Sequence, residues 1–444
     1  MQDLGIISPS LEEFRERAVT HRVIPVCIKI LADSLTPIGI YRSLVLHDGA
    51  ADPGTFLLES AKIATEGESA AWDRYSFIGA SSRSTLTTRD GKIYWQGQTP
   101  AGAPTEGDPV EAIDQTLRML HTEPVPGLPP LTSGLVGYLG WDVVRRWENL
   151  PYPPADDVNL PEFALNMVSD MAIHDNTDGT VLLIANAINF NDTDENVDDA
   201  YVDAVERLHR MLQQLEQGAS ETASVLTGVS EVNARIHREV TQTWSVQGYQ
   251  DAIDRCKKNI IDGDVFQIVI SRRFEVETGA DALDVYRVLR QSNPSPYMYL
   301  FNFEDAEGIP FQIVGSSPEA LVTLKEGRAT SHPIAGSRPR GATREQDIAL
   351  AEELLADQKE CSEHLMLVDL ARNDLSRIAK PGTVSVDEFM VIERFSHIMH
   401  ISSSVSAELD PQFSAYDVLR VAFPAGTLSG APKPRAMQLI DEYE

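Results

Sequence analysis

The sequence predicts an α+β protein in which mainly antiparallel sheets are flanked by helices. Three observations carry this. Strand-like runs come in pairs joined by turn residues, as at Asp90-Gly91 within SSRSTLTTRDGKIYWQG and across MAIHDNTDGTVLLIANAI at 171–188. Helical segments with clear start signals lie between them. The plainest is Asp108-Pro109-Val110-Glu111, where Asp caps, Pro takes the first helical position and Glu sits three residues after the cap. The second half alternates strand and helix patterns, with Gly and Pro marking the turns.

Taken in order, VIPVCIKIL (23–31) and GTFLLESA (54–61) read as strands, and the helix opened at Asp108 runs to about His121. A Pro-rich break, PVPGLPPL, follows it, and Asp194 to Gln217 reads as a long amphipathic helix. From Gly218 to about Gly228 the composition turns small and polar, which divides the chain into domains at 1–228 and 229–444. A helix over Tyr249 to Asp262 ends at Gly263 and feeds VFQIVISRRFEVE, whose nearly continuous apolar pattern predicts a strand buried on both faces. DALDVYRVLRQSN is a helix, closed by NPSPYMYLFNF, whose prolines fix the turn into the next strand. FQIVGSSPEALVTLKEGRATSHPIAGSRPRG gives strand, tight turn, hairpin and a Gly-rich bend with Arg338 and Arg340. An acidic helix, the strands GTVSVDEF and IERFSHIMHISSSVSAEL, and FPAGTLSGAPKPRAMQLIDEYE complete the chain.

Composition narrows the function. The 67 acidic against 37 basic residues give a net charge of −30, which repels nucleic-acid phosphates and anionic membrane surfaces, so neither is expected as a partner. An anionic substrate would need a locally positive pocket, a metal, or both. Cys27, Cys256 and Cys361 form no CxxC pair, which fits a reduced, cytoplasmic protein. The start, MQDLGIISPSLEEFRER, lacks the apolar run of a secretory signal, and no stretch approaches the roughly 18 apolar residues of a membrane span.

The chemistry centres on KECSEHLMLVDLARND, 359–374. Leu365, Val368, Ala371 and Leu375 recur at helical spacing and would seat a helix on a core, while Glu360 and Glu363, three apart, share one face with His364 beside the second. Two readings stand: a pair of hard oxygen ligands for Mg²⁺, or a solvated face with Lys359 and Arg372 as partners. Glu319 follows Ser316-Ser317-Pro318, so it is either a part-buried general acid or a loop carboxylate capping the next segment. His400, inside a strand of apolar and small residues, is either a reacting group or a satisfied core histidine. Gly336, Gly341, Gly426 and Gly430 admit close approach of an anion to backbone amides, or simply make turns.

Seven blocks, GDVFQIVISRRF, NPSPYMYLF, GSSPEALV, HPIAGSRPRG, KECSEHLMLVDLARNDLSRI, MHISSSV and FPAGTLSGAPKPRAMQLI, occur in this order. Together they closely resemble anthranilate synthase component I, a family of chorismate-utilising enzymes, and LLES near residue 57 and IANAINFN extend the resemblance over nearly the whole chain. The resemblance implies a two-layer, mainly antiparallel β-sandwich with flanking helices. It implies conversion of chorismate and ammonia, with Mg²⁺, through aminodeoxyisochorismate to anthranilate and pyruvate. The ammonia would come from a glutamine amidotransferase subunit, component II, in a hetero-oligomer. By the same match Glu363 would be the direct Mg²⁺ ligand with Glu360 as its outer companion. Glu319 would protonate the leaving 4-hydroxyl and His400 would act near the ring during pyruvate elimination, with Gly336, Ser337 and Thr427 against chorismate. Feedback inhibition by tryptophan would use Ser60, Pro296, Tyr297 and Met298.

Two positions discriminate among related activities. Isochorismate and salicylate synthases carry a water-activating lysine where Gln267 stands, and aminodeoxychorismate synthase component I carries a nucleophilic lysine where Ala335 stands. With neither lysine present, external ammonia is the expected nucleophile. Aminodeoxychorismate synthesis and a catalytically inactive regulatory relative are the alternatives. Ser337 replaces the more usual threonine and keeps the hydroxyl. The chain stops at Glu444, inside what reads as a helix, whereas the family pattern continues with a Tyr-Gly-Gly turn, an arginine strand and a second pair of metal carboxylates. A C-terminal truncation is therefore expected.

Overall fold

The computed structural model describes residues 3–61, 74–122, 124–218, 239–395 and 397–444. The chain forms two compact units, the first from Met1–Gly140, Leu160–Ser224 and Asp281–Pro318, the second from Trp141–Asn159, Val225–Ala280 and Glu319–Glu444. Where a single cut at residue 228 keeps each half on its own side, two stretches change sides. The cut itself falls in 219–238, outside the described residues.

In the first unit a ten-stranded antiparallel sheet runs in the order Ile7–Ser8, Val23–Leu31, Thr180–Ile188, Phe163–Asp175, Tyr75–Arg89, Phe56–Glu59, Tyr297–Glu304, Pro310–Ser317. Lys92–Gly97 and Leu135–Leu139 pair at its side. The Asp90-Gly91 hairpin forms as its residues dictate: both have positive φ, 51° and 69°, which the right-handed twist of the flanking strands requires of a two-residue turn. Period-two alternation sorts the side chains. Val181, Leu183 and Ala185 enter one core cluster, and Leu182 and Ile184 enter the other. Helix Val197–Gln217 closes the first cluster with Ala204, Leu208, Met211 and Leu215, a single stripe at helical spacing. Each such fully buried side chain contributes about 1.5–3 kcal/mol. The helix begins three residues later than the sequence pattern suggests, because Asn196 at its start is left-handed, φ 62°. Asp108 caps helix Pro109–Met119 as expected, its Oδ1 accepting from the Val110 N–H at 2.9 Å.

In the second unit strand Ile398–Glu408 is central to a five-stranded antiparallel sheet. Ser385–Arg394 pairs with it along one side, and Ile334–Pro339 and Arg328–Ser331 along the other. Helix Gln358–Ser376, N-capped by Asp357, packs Val368, Ala371 and Leu375 with Ala329, Val405 and Ala407 of this sheet. Leu365 departs from expectation: it is 46% exposed, and fully buried His364 and Leu367 take the core side instead. The run from Val265 to Val276 also departs. Only Gln267–Ile268 and Phe274–Val276 are strands, each paired with one short partner, and Phe266 is 75% exposed. Its apolar continuity reflects Phe266 and Ile268 lining a cavity and Phe274 carrying the Arg272 guanidinium, 4.9 Å from its ring centre, rather than two covered faces.

Candidate active site

All the proposed catalytic, substrate and metal residues belong to the second unit. Gly336 sets the local geometry. The pairing of Ile334–Pro339 with Ile398–Glu408 slips between Ala335 and Ser337, and Gly336 sits in the slip with φ +71°, where a Cβ would come within 3.2 Å of Glu360 Oε2. The slip turns the Gly336 carbonyl onto His400 Nδ1 at 2.9 Å. A carbonyl only accepts, so Nδ1 carries the hydrogen and Nε2 is the basic nitrogen of the neutral ring. The Phe395 ring lies edge-on to the imidazole, centroids 5.6 Å apart.

Ser337 is directly opposite His400 on one neighbouring strand and Glu393 is directly opposite it on the other. Directly paired residues of an antiparallel sheet share a face, so the three side chains form a row. Glu319 joins this row electrostatically. Burial pushes its carboxyl up to about 7, a hydrogen bond with Thr427 works the other way, and the charge of Glu393 adds to the rise. Glu319 and Thr427 also line a cavity of about 40 Å³ with Ser331, Asp374 and Lys433, room for one or two waters. Lys433 Nζ donates to Asp374 Oδ2 at 2.6 Å, yet burial still holds the Asp374 carboxyl above the usual range.

Gly336, Ser337, His400 and Glu360 are thus gathered at one place, and Glu319 and Thr427 at a second, with Glu393 linking the two. Glu363, one helical turn from Glu360 on helix Gln358–Ser376, faces a third. Its Oε1 accepts from Gln267 Nε2 at 3.2 Å, and it lines a cavity of about 690 Å³ with Gln267, Lys359, Phe266, Met366 and Asp369. Among the described residues no three His, Cys, Asp or Glu side chains converge as a metal cage. The donor set nonetheless fits Mg²⁺, which is held by one or two carboxylates and completes its shell with water and substrate oxygens. Gln267 Oε1, buried without a hydrogen-bond partner beside Glu363, is a further oxygen suited to a water of such a shell. On the solvated-face reading Arg372 would answer the glutamates, but it pairs with Asp369 at 2.9 Å. His364 is not part of the chemistry: it is fully buried, its Nε2 is 2.6 Å from Ser403 Oγ, and burial pushes it down to about 4.

The tryptophan candidates belong to the first unit. Met298 is directly opposite Glu59, and the Ala61 N–H donates to the Ser295 carbonyl at 3.0 Å, so the segments bearing Ser60 and Pro296 run side by side. Tyr297 is exposed, whereas Met298 is packed in the core with Leu57 and Leu300. Glu59 ends its strand buried but answered, accepting from Tyr286 Oη at 2.6 Å and paired with Arg290 Nε at 3.1 Å.

Glu393, Asp374 and Lys433 were not singled out from the sequence. Glu393 takes its place from the register of Ser385–Arg394 against Ile398–Glu408, in which it lies directly opposite His400.

Residues 60–444 match the chorismate binding enzyme family. The chain is 59% identical to the anthranilate synthase component 1 of Arthrobacter globiformis over 444 residues, all of this chain and 81% of that protein. It is 52% identical to that of Mycolicibacterium smegmatis over 98% of this chain and 80% of that one. The crystal structure of anthranilate synthase component I from Streptococcus pneumoniae TIGR4 superposes with a TM-score of 0.69 at 30% identity, covering 86% of this chain and 79% of that one. The chain belongs to the anthranilate synthase component 1 family of chorismate-binding enzymes.

Proposed function

We propose that this chain converts chorismate and ammonia to anthranilate and pyruvate. The observation that carries this reading is Glu319, a carboxyl pushed up to about 7 chiefly by burial, with Glu393, which adds to that rise, directly opposite His400, whose Nδ1 is bonded to the Gly336 carbonyl. Replacing a ring hydroxyl by ammonia requires a proton on the departing oxygen. An acid with a pKa near the working pH is suited to give it, and Glu319 then receives the proton that the incoming nitrogen sheds. In the second step the ring loses a proton to His400 Nε2, the bond from ring carbon to the enolpyruvyl oxygen breaks, and the departing enolpyruvate takes a proton to become pyruvate. Glu363 and Glu360 would hold Mg²⁺, which when bound neutralises the substrate's ring carboxylate and eases binding of a dianion by so acidic a protein. Ala335, buried opposite Ile401, offers no amine for the lysine-dependent route of aminodeoxychorismate synthesis. The ammonia would be supplied by a glutamine amidotransferase subunit.

Tryptophan would bind in the first unit at Ser60, Pro296, Tyr297 and Met298. Support comes from the chain path: Tyr297 and Met298 pair with Ser317 and Ser316, and that strand reaches Glu319 two residues later. A ligand that rearranges this pairing can therefore bias the acid, provided it binds one arrangement better than the other. The direct test is anthranilate fluorescence on adding chorismate, MgCl₂ and an ammonium salt. Its absence, with chorismate unconsumed, would overturn the enzymatic reading in favour of an inactive binding relative.

A further inference from the structure

A carboxylate remote from the reacting groups collects four donors from two separate chain segments. Asp347, in the first turn of helix Arg344–Ala356, is 8% exposed. Its Oδ1 accepts from Arg340 Nε at 2.7 Å and from the Gly341 N–H at 2.9 Å. Its Oδ2 accepts from Arg394 Nε at 2.9 Å and from Arg340 Nη2 at 3.3 Å. The approach is close enough to demand glycine at 341, where a Cβ would lie 2.2 Å from the Asp347 nitrogen.

The two arginines are not equivalent surface charges. Arg340 directly follows strand Ile334–Pro339 and Arg394 ends strand Ser385–Arg394, the two neighbours of the strand that carries His400. Asp347 therefore ties together both flanks of that strand close to its first residue. Arg340 goes further: its Nη1 donates to the Phe395 carbonyl at 2.7 Å and its backbone N–H to the His397 carbonyl at 3.2 Å. It thereby holds the turn whose Phe395 ring rests against the imidazole.

We propose that Asp347 is a positioning residue for His400, acting through Arg340 and Phe395 to hold the imidazole on the Gly336 carbonyl. This rests on the reading of His400 as the group that acts on the ring. The carboxylate is suited to the task because a guanidinium fork bonded on two edges has one orientation, whereas an apolar contact would leave the Phe395 turn free to shift. A misplacement on the scale of an ångström at a reacting group costs on the order of a hundredfold in rate.

The test combines kinetics with a readout that needs no turnover. Asp347→Asn is expected to lower kcat for anthranilate formation by about ten- to a hundredfold with KM for chorismate nearly unchanged. In a His400→Ala background the same change should cost less than about twofold, because the two residues act as a unit. Imidazole ¹⁵N shifts, with His400 assigned by difference from His400→Ala, should show Nδ1 protonated in the parent and a mixture of tautomers in Asp347→Asn. Arg340→Lys, which keeps a positive charge by Asp347 but loses the fork to Phe395, should follow Asp347→Asn in both respects and carries the test should the latter not fold. A full, multiplicative loss in the His400→Ala background, or a parent-like tautomer in both variants, would overturn the proposal. If His400→Ala alone leaves the rate unchanged, the reading of His400 fails instead, while the tautomer comparison still decides whether Asp347 positions it.

Discussion

The two units differ in how several of their buried charged side chains are answered. In the first, Arg207 and Asp175 are fully paired. Arg207, 4% exposed, is bonded to Asp170, to Asp203 at 3.0 Å and to the Asn186 carbonyl at 2.8 Å. Burial alone would raise Asp175, but hydrogen bonds from Arg74 and Thr177 bring it down to about 2. In the second unit several groups are under-answered. Glu319 is pushed up to about 7, His364 is pushed down to about 4 with Nδ1 unpartnered, and Asp374 stays raised despite its lysine. Desolvation with compensation fixes a scaffold, whereas desolvation without it shifts a proton into the working pH range, which is where chemistry is found. His364 marks the limit of that rule, since a histidine driven to about 4 is neutral at working pH and serves to anchor its helix to Ser403.

The contrast can be broken by exchanging which kind of group is removed. Glu319→Gln should retain chorismate binding and lose on the order of 10²- to 10⁴-fold in rate, the worth of a general acid. A rate within a few-fold of the parent would leave only a loop-capping role. The same variant should be the more stable protein at high pH. Because the folded carboxyl holds its proton above the ordinary value of 4.5, the folded state binds more protons than the unfolded chain between 4.5 and about 7. The parent therefore loses stability as pH rises through that window, and Glu319→Gln should gain on it there by up to about 3 kcal/mol and no further above it. Denaturant titrations at pH 5 and 8 read this out.

Arg207→Ala is the counterpart in the first unit. Leaving Asp170 buried with, among the described residues, only Ser81 as a partner, at 2.7 Å, should cost about 3–5 kcal/mol in urea unfolding, with kcat per folded molecule nearly unchanged. A large fall in kcat without loss of stability would mean that this cluster is not scaffold. Glu363→Gln sharpens the comparison from the metal side. It should weaken Mg²⁺ binding by calorimetry more than it affects folding, and unchanged affinity would remove Glu363 from the metal site. The smallest expected effect on catalysis belongs to Ser60→Phe and Pro296→Ser, which should raise the tryptophan concentration needed for inhibition while leaving the uninhibited rate almost intact. If both variants stay as sensitive as the parent, the effector site lies elsewhere.

Much of this was legible in the sequence where the cause is local. The Asp108 cap, the Asp90-Gly91 turn and the left-handed Gly263 closing helix Val246–Asp262 depend on a few adjacent residues, and each forms as its chemistry requires. What failed was non-local. The apolar run after Val265 reads as a buried strand because periodicity cannot tell a covered face from a cavity wall. The place of Glu393 depends on register, and its strand carries irregularities between Val386 and Val391, with Met390 at φ 52°, that no local signal announces. The passage of Asp281–Pro318 into the first unit is set by sheet pairing to Phe56–Glu59, more than two hundred residues away in sequence, beyond any local pattern.

The measurement that bears most directly on the central claim is the titration of the Glu319 carboxyl itself, by ¹³C NMR of protein labelled at glutamate Cδ, with the resonance identified by its loss in Glu319→Gln. A midpoint near 7, coinciding with the loss of activity on the alkaline side, is the predicted result. A midpoint near the ordinary 4.5 would mean that the carboxyl is ionised throughout the working range and has no proton to give.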